Sequence, residues 1–167
     1  MLFVLLLACQ SETPKQSIEV KEQTITSYAK NMDFEQQRIS EIIENNLKSM
    51  EIPNNIIAAA IVNGVAESKL DSNAIGDNGK SIGVFQLHNN GLGNKISPYY
   101  RKNVHVNSSV VAIQILKNKR LFDKDKHKAS ISELTAIIAK DIMRPDNIET
   151  QIIIRNNLAK AIFPDRI

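Results

Sequence analysis

Glu67 stands where an apolar run, Ile56 to Ala66, gives way to a glycine-rich stretch. A carboxyl at the end of a buried helix borders low-dielectric surroundings, which disfavour its charged form and raise its pKa. The partial negative charge of a helix C-terminus acts in the same direction. A raised pKa keeps a carboxylic acid protonated near neutral pH, as a general acid requires. Ten residues on, Asp77 lies between Gly76 and Gly79. Asp beside Gly is ordinary turn chemistry, so Asp77 reads equally as a turn residue or as a second working carboxylate. One acid in an apolar setting and one in a polar loop is the division of labour of glycoside cleavage. For Glu67 to act as the acid, its carboxyl must face a groove that admits a sugar chain. It must also be free of a permanent ion pair with a lysine or arginine.

The elements that would position these acids are mostly helices. Apolar residues at Phe34, Ile39, Ile42, Ile43, Leu47 and Met50 fall on one helical face. Pro53 suits the first turn of a second helix running to about Ala66. That helix is apolar nearly all round and belongs in the middle of a domain. From Lys69 to Gly93 the chain holds five of its six glycines, with Asn and Asp interspersed. This predicts a long irregular segment with a short hairpin around Ser81 to Leu87, of a length that is uncommon without a function. Three more helices follow: one from about Ser108 to Phe122, one after Ser130, and one from near Asp146 that carries Ile148, Ile152, Leu158 and Ile162. Ser130 and Glu133 have capping-box spacing, and the helix they start ends before Pro145. The expected fold class is therefore mainly α, one domain over residues 34–167.

Glu67-Ser68, followed by Gly76-Asp77-Asn78-Gly79-Lys80-Ser81-Ile82-Gly83-Val84-Phe85-Gln86, resembles the active-site stretch of goose-type lysozymes and soluble lytic transglycosylases. The resemblance is strong over roughly Ile56 to Leu87. It implies a lysozyme-like fold, with a glycine-rich loop or short β-hairpin after the catalytic helix. It places the family's catalytic glutamate on Glu67, its Gly-x-x-Gln on Gly83 to Gln86, and the goose-type second carboxylate on Asp77. The goose type has a further acid two residues beyond the glutamine, where this chain has His88. The later Ala-Tyr-Asn-Ala-Gly segment of the transglycosylases is not evident. Ile142-Met143-Arg144-Pro145 and the closing helix resemble phage-tail lysozyme domains, with Met143 in place of a common glutamate. The implied substrate is the peptidoglycan glycan strand, cut at the β-1,4 bond between N-acetylmuramic acid and N-acetylglucosamine. A competent Asp77 implies inverting hydrolysis. Without one, the resemblance implies a 1,6-anhydro product formed with help from the substrate's acetamido group. The competing reading is a non-catalytic glycan-binding or wall-scaffold protein, and a phage-tail or secretion-apparatus component would share the chemistry.

Each of the remaining candidates admits more than one role. Ser68 suits either substrate contact or capping of the helix end, and Gln86 either sugar contact or holding of the loop. Phe85, His88, Tyr99 and Tyr100 complete the expected substrate-binding set, the tyrosines by stacking on sugar faces or by packing in the core or rim. No cofactor is expected, and no metal: the three histidines lack zincin spacing, and Asp71 to Gly76 fails as a calcium loop because Ile75 takes a ligand position and Ile82 the place of the bidentate Glu.

The chain's 167 residues, 43% hydrophobic and 23% charged, can bury a core without disulfides. The net charge of +3 and pI near 9.0 suit a polyanion, but the cations are scattered without interleaved aromatics, so nucleic-acid binding is not expected. The expected state is a monomer. Leu2 to Ala8 is an apolar run ending at Cys9, the single cysteine. Leu6-Leu7-Ala8-Cys9 resembles the lipobox of bacterial lipoproteins, although no Lys or Arg precedes it; a gene start further upstream would supply one. The resemblance implies a signal peptide over 1–9, lipidation at Cys9, a flexible tether over 10–33, and a periplasmic or cell-envelope location with membrane contact only through the anchor.

Overall fold

The computed structural model describes residues 24–123 and 129–164. They form a mainly helical structure with one small sheet. Asp33 and Gln36 close a capping box that starts α1, Phe34–Lys48. Pro53 then stands directly before α2, Asn54–Ser68, rather than inside its first turn. Every residue of α2 from Ile56 to Gly64 is buried, because α1, α5 and α6 surround it. This is the central helix that the all-round apolar sequence predicts.

The glycine-rich stretch contains β1, Ile75–Gly76, β2, Ser81–Ile82, and β3, Leu87–His88, paired antiparallel in that order. Ile82 pairs with both Ile75 and Leu87, and Ser81 with Gly76 and His88. The expected hairpin is thus β2–β3, with β1 as an added edge strand. Gly83 turns the chain between them at φ +82°, and a Cβ there would strike the Arg101 carbonyl and the Asn107 amide. Only glycine fits both the angle and the space.

α3, Pro98–Lys102, is a short helix that the sequence reading did not anticipate; five residues carry too little periodicity to detect, although Ser97 caps it. α4, Val104–Lys117, starts four residues before the expected Ser108, because Asn103 caps it and its buried face includes the polar Asn107 and Ser108. α5, Ile131–Ile138, begins on the expected Ser130–Glu133 capping box and continues as a π-helical turn over Ala139–Met143. α6, Ile148–Ile162, closes the chain against α2 and α5.

Of the segment expected as a tether over 10–33, residues 24–33 are docked on the helical domain, and the rest lie outside the described residues. Ile25 and Met32 join the core, and a 3₁₀ turn forms over Thr26–Tyr28. These apolar residues are too sparse for a periodic signal, so the docking is visible only in three dimensions. Glu44 of α1 holds the segment down. Its carboxylate, 1% exposed, accepts hydrogen bonds from the Ile25 and Thr26 amides and the Thr26 hydroxyl, each at 2.7 Å, and pairs with Lys48 at 2.9 Å. Burial pushes this carboxyl up, but the bonds from Thr26, Lys48 and Ile25 together outweigh it and hold it below the usual range.

A carboxyl lowered in the folded state stabilises above its unfolded pKa, near 4.5, and that contribution is lost as pH falls through the folded value. Glu44→Gln is therefore expected to lose roughly 2–3 kcal/mol in urea unfolding at about pH 7. The gap to wild type closes as the pH falls well below 4.5.

Candidate active site

α2 delivers Glu67 to its last turn, and the left-handed residues Lys69 and Leu70, at φ +58° and +64°, turn the chain away directly after Ser68. The Ser68 hydroxyl donates to the Val84 carbonyl at 2.8 Å, tying the helix end to the β2–β3 turn. Of its two open roles, the bond made here is the one that fixes the helix end. Gln86, at φ +44°, donates from its amide to the Gly83 carbonyl at 2.9 Å and the Ala74 carbonyl at 3.3 Å. Gln86 therefore holds the loop, and it lines the adjoining cavity as well.

That cavity measures about 500 Å³, within the range of small-molecule sites. Glu67 lines it together with Phe85, Gln86, Leu87 and His88 of the hairpin, and with Gly91 and Leu92 beyond. The rest of the lining comes from the end of α4 (Gln114, Lys117, Asn118) and the π-helical turn with its exit (Asp141 to Arg144). Of the residues expected from sequence, Glu67, Phe85, Gln86 and His88 are thus brought together. His88 Nδ1 accepts from the Asn90 amide at 3.1 Å, which in the neutral ring leaves Nε2 as the protonated nitrogen.

Three expected residues lie elsewhere. Asp77 is exposed, accepts a hydrogen bond from the Ser81 hydroxyl, and is not among the cavity lining. Its charge nevertheless reaches Glu67. Tyr99 and Tyr100 pack edge to face on each other, 5.4 Å between ring centres, and at 78% and 56% exposure form part of neither the cavity nor the core. The short helix α3, absent from the sequence reading, carries them there. Cys9 lies outside the described residues.

Glu67 itself departs from what its expected role requires. Its Oε1 accepts from Arg155 Nη2 of α6 at 2.5 Å, an ion pair that the sequence reading required to be absent. Arg155 is 1% exposed; its Nε donates to Asn63 Oδ1 at 3.0 Å and its Nη1 to Gln151. Asn63, fully buried, also donates to the Ala59 and Thr135 carbonyls at 2.9 and 3.2 Å. Asn63 and Glu67 are four residues apart on α2, and Gln151 and Arg155 four apart on α6, so each pair shares a helix face. Neither Asn63 nor Arg155 was identified from sequence. The available signal was a charge at 155 within the row Ile148, Ile152, Ala159, Ile162, a position that faces the core.

The pair occupies only one carboxyl oxygen: among the described residues, Oε2 of Glu67 accepts no hydrogen bond, and the side chain is 18% exposed at the cavity. Burial pushes the Glu67 carboxyl up, Arg155 opposes by charge and hydrogen bond, and Asp77 adds to the rise. Burial prevails, and the carboxyl sits above its ordinary range. The guanidinium stays charged throughout.

No protein-family model matches the chain, and no curated protein and no solved structure does so either. Among the described residues, no cluster of His, Cys, Asp and Glu suits a metal ion, and no helix is long and apolar enough to cross a membrane.

A carboxyl raised in the folded state contributes stability fully present below its unfolded pKa, near 4.5, and lost as pH rises through the folded value. The stability of wild type relative to Glu67→Gln is therefore expected to fall between about pH 4 and pH 7 in chemical unfolding. A difference that is flat or rising over that interval would show that the ion pair, not burial, governs this carboxyl.

Proposed function

We propose that the protein cleaves peptidoglycan glycan strands at the β-1,4 bond between N-acetylmuramic acid and N-acetylglucosamine, on a lysozyme-like fold, with Glu67 as proton donor. One observation carries the reading. A carboxyl with a raised pKa and one unclaimed oxygen opens, at the end of a buried helix, on a cavity of sugar size. The mostly helical architecture and the Glu67-to-Gln86 sequence stretch support it. So does the lipobox-like run at Cys9, which makes a lipid-anchored envelope protein part of the same proposal.

Arg155 has a definite part in such a mechanism. As Glu67 passes its proton to the departing glycosidic oxygen, a carboxylate forms in low-dielectric surroundings. The guanidinium already bonded to Oε1 stabilises that charge as it develops. Asp77, exposed and outside the cavity lining, is poorly placed to activate a water beside the sugar. Its position favours the anhydro-forming route, in which the substrate's acetamido group attacks and Glu67, now a carboxylate held by Arg155, returns as base.

A second reading, favoured by the ion pair, is that Glu67 serves only to neutralise a buried arginine and that the protein binds glycan without cutting it. Glu67→Gln separates the two, because its amide oxygen still accepts from Arg155. Catalysis predicts at least about a hundredfold loss of peptidoglycan clearing; equal clearing by both proteins removes the mechanism, and no clearing by wild type favours the binding reading. Mass spectrometry of the products is expected to find 1,6-anhydro ends rather than reducing ends.

Removing the guanidinium takes away a group that favours the ionised acid. In Arg155→Gln the alkaline limb of the pH–activity profile therefore moves to higher pH. A limb that stays in place in a variant folded by circular dichroism means that another group donates the proton.

A further inference from the structure

The charges around the cavity do not balance. Glu67 has Arg155 as its own cation. The other acid of the lining, Asp141, receives Arg120 Nη1 on both oxygens at 3.0 Å, and Asn118 at 3.1 Å. Two further cations line the same cavity, Lys117 at the end of α4 and Arg144 just after the π-helical turn. Among the described residues neither makes an ion pair. Among the described residues Arg144 spends only its Nε, on the Asp141 carbonyl at 3.1 Å, which steadies the side chain and leaves both terminal nitrogens without a hydrogen-bond partner there. With each acid of the lining already matched, the two spare cations give the cavity an excess of positive charge. A free guanidinium and a free ammonium at one cavity suit a carboxylate, the guanidinium by two parallel hydrogen bonds and the ammonium as a point charge.

We propose that Lys117 and Arg144 form a subsite for a carboxylate carried by the sugar residue that occupies the cavity. The inference rests on the glycan reading above and sharpens it: the cavity selects the acidic sugar of the strand over the neutral one. The carboxylate has two sources in peptidoglycan, the lactyl group of the muramyl sugar and the peptide attached to it. Its recognition needs no bond to be broken.

The test is an NMR titration of the protein with three probes: N-acetylglucosamine, which is neutral; N-acetylmuramic acid, which adds the lactyl carboxylate; and muramyl dipeptide, whose lactyl group is amidated and whose carboxylate lies on the peptide. The expected result is that N-acetylmuramic acid binds about tenfold tighter than N-acetylglucosamine, a preference that shrinks in about 0.5 M sodium chloride. The preference disappears in the double variant Lys117→Gln, Arg144→Asn. Both positions are exposed, and asparagine tolerates the φ of +53° found at Arg144, so the fold is retained. Preference for muramyl dipeptide alone keeps the subsite and assigns it to the peptide carboxylate. Equal binding of all three sugars, no saturable binding of any, or a preference that survives the double variant overturns the proposal. The titration repeated on Glu67→Gln keeps the two readings apart. Wall clearing unaffected by Glu67→Gln removes the catalytic mechanism and leaves a carboxylate preference standing, whereas Glu67-dependent clearing without that preference removes the subsite alone.

Discussion

A guanidinium that cannot give up its charge lies at the centre of this structure. Arg155 is carried into the core by α6, and a cation buried there must be matched on every nitrogen it presents. Glu67, Asn63 and Gln151 supply acceptor oxygens, and all three come from the two helices that meet at this point. The apolar faces of α2 and α6 bring the helices together, and this polar cluster fixes how the two helices align. It also holds the Glu67 carboxyl through Oε1, and among the described residues Oε2 accepts no hydrogen bond.

The same cluster makes Glu67 a contested group. Burial disfavours its charge and the arginine favours it, and the first effect prevails. A carboxyl whose two protonation states are brought closer in energy by opposing influences suits acid chemistry better than one held firmly in either state. The ion pair thus changes the proposed mechanism rather than replacing it: the carboxylate left after proton transfer has a stabilising partner in place.

The loop beyond α2 is held by apolar burial and by hydrogen bonds together. It buries Leu70, Ile82, Val84, Phe85 and Leu87, and between these anchors its shape depends on side chains that bond to backbone. Asn107 of α4, fully buried, accepts from the Phe85 amide and donates to the Ile82 and Arg101 carbonyls. Arg101 donates to the Lys80 and Leu87 carbonyls, and Ser68 and Gln86 add further ties. Such bonds satisfy backbone groups that a short sheet leaves unpaired. They also set the positions of Phe85, Gln86 and His88 along the cavity wall.

Much of this was legible from sequence where the signal is local. The all-round apolar run of α2, the capping box at Ser130 and Glu133, and the cluster of glycines each specify a neighbouring conformation through spacings of two to four residues, and the structure has them where the sequence puts them. Glu67 at the end of α2 belongs to the same class. The five-residue α3 and the docking of Ile25 and Met32 escaped, because elements that short carry no period. Arg155 escaped for a deeper reason. Its partners Glu67 and Asn63 lie 88 and 92 residues away, and no local pattern records that separation. Only the packing of α6 on α2 decided that a charge in an apolar row would meet a carboxylate, and only the path of the loop decided that Gln86 and His88 line the cavity while Asp77 and the two tyrosines do not. Sequence determined that the long helices form and which acid ends the central one; tertiary structure determined that acid's partner, because burial and charge pairing exist only once distant segments are in contact.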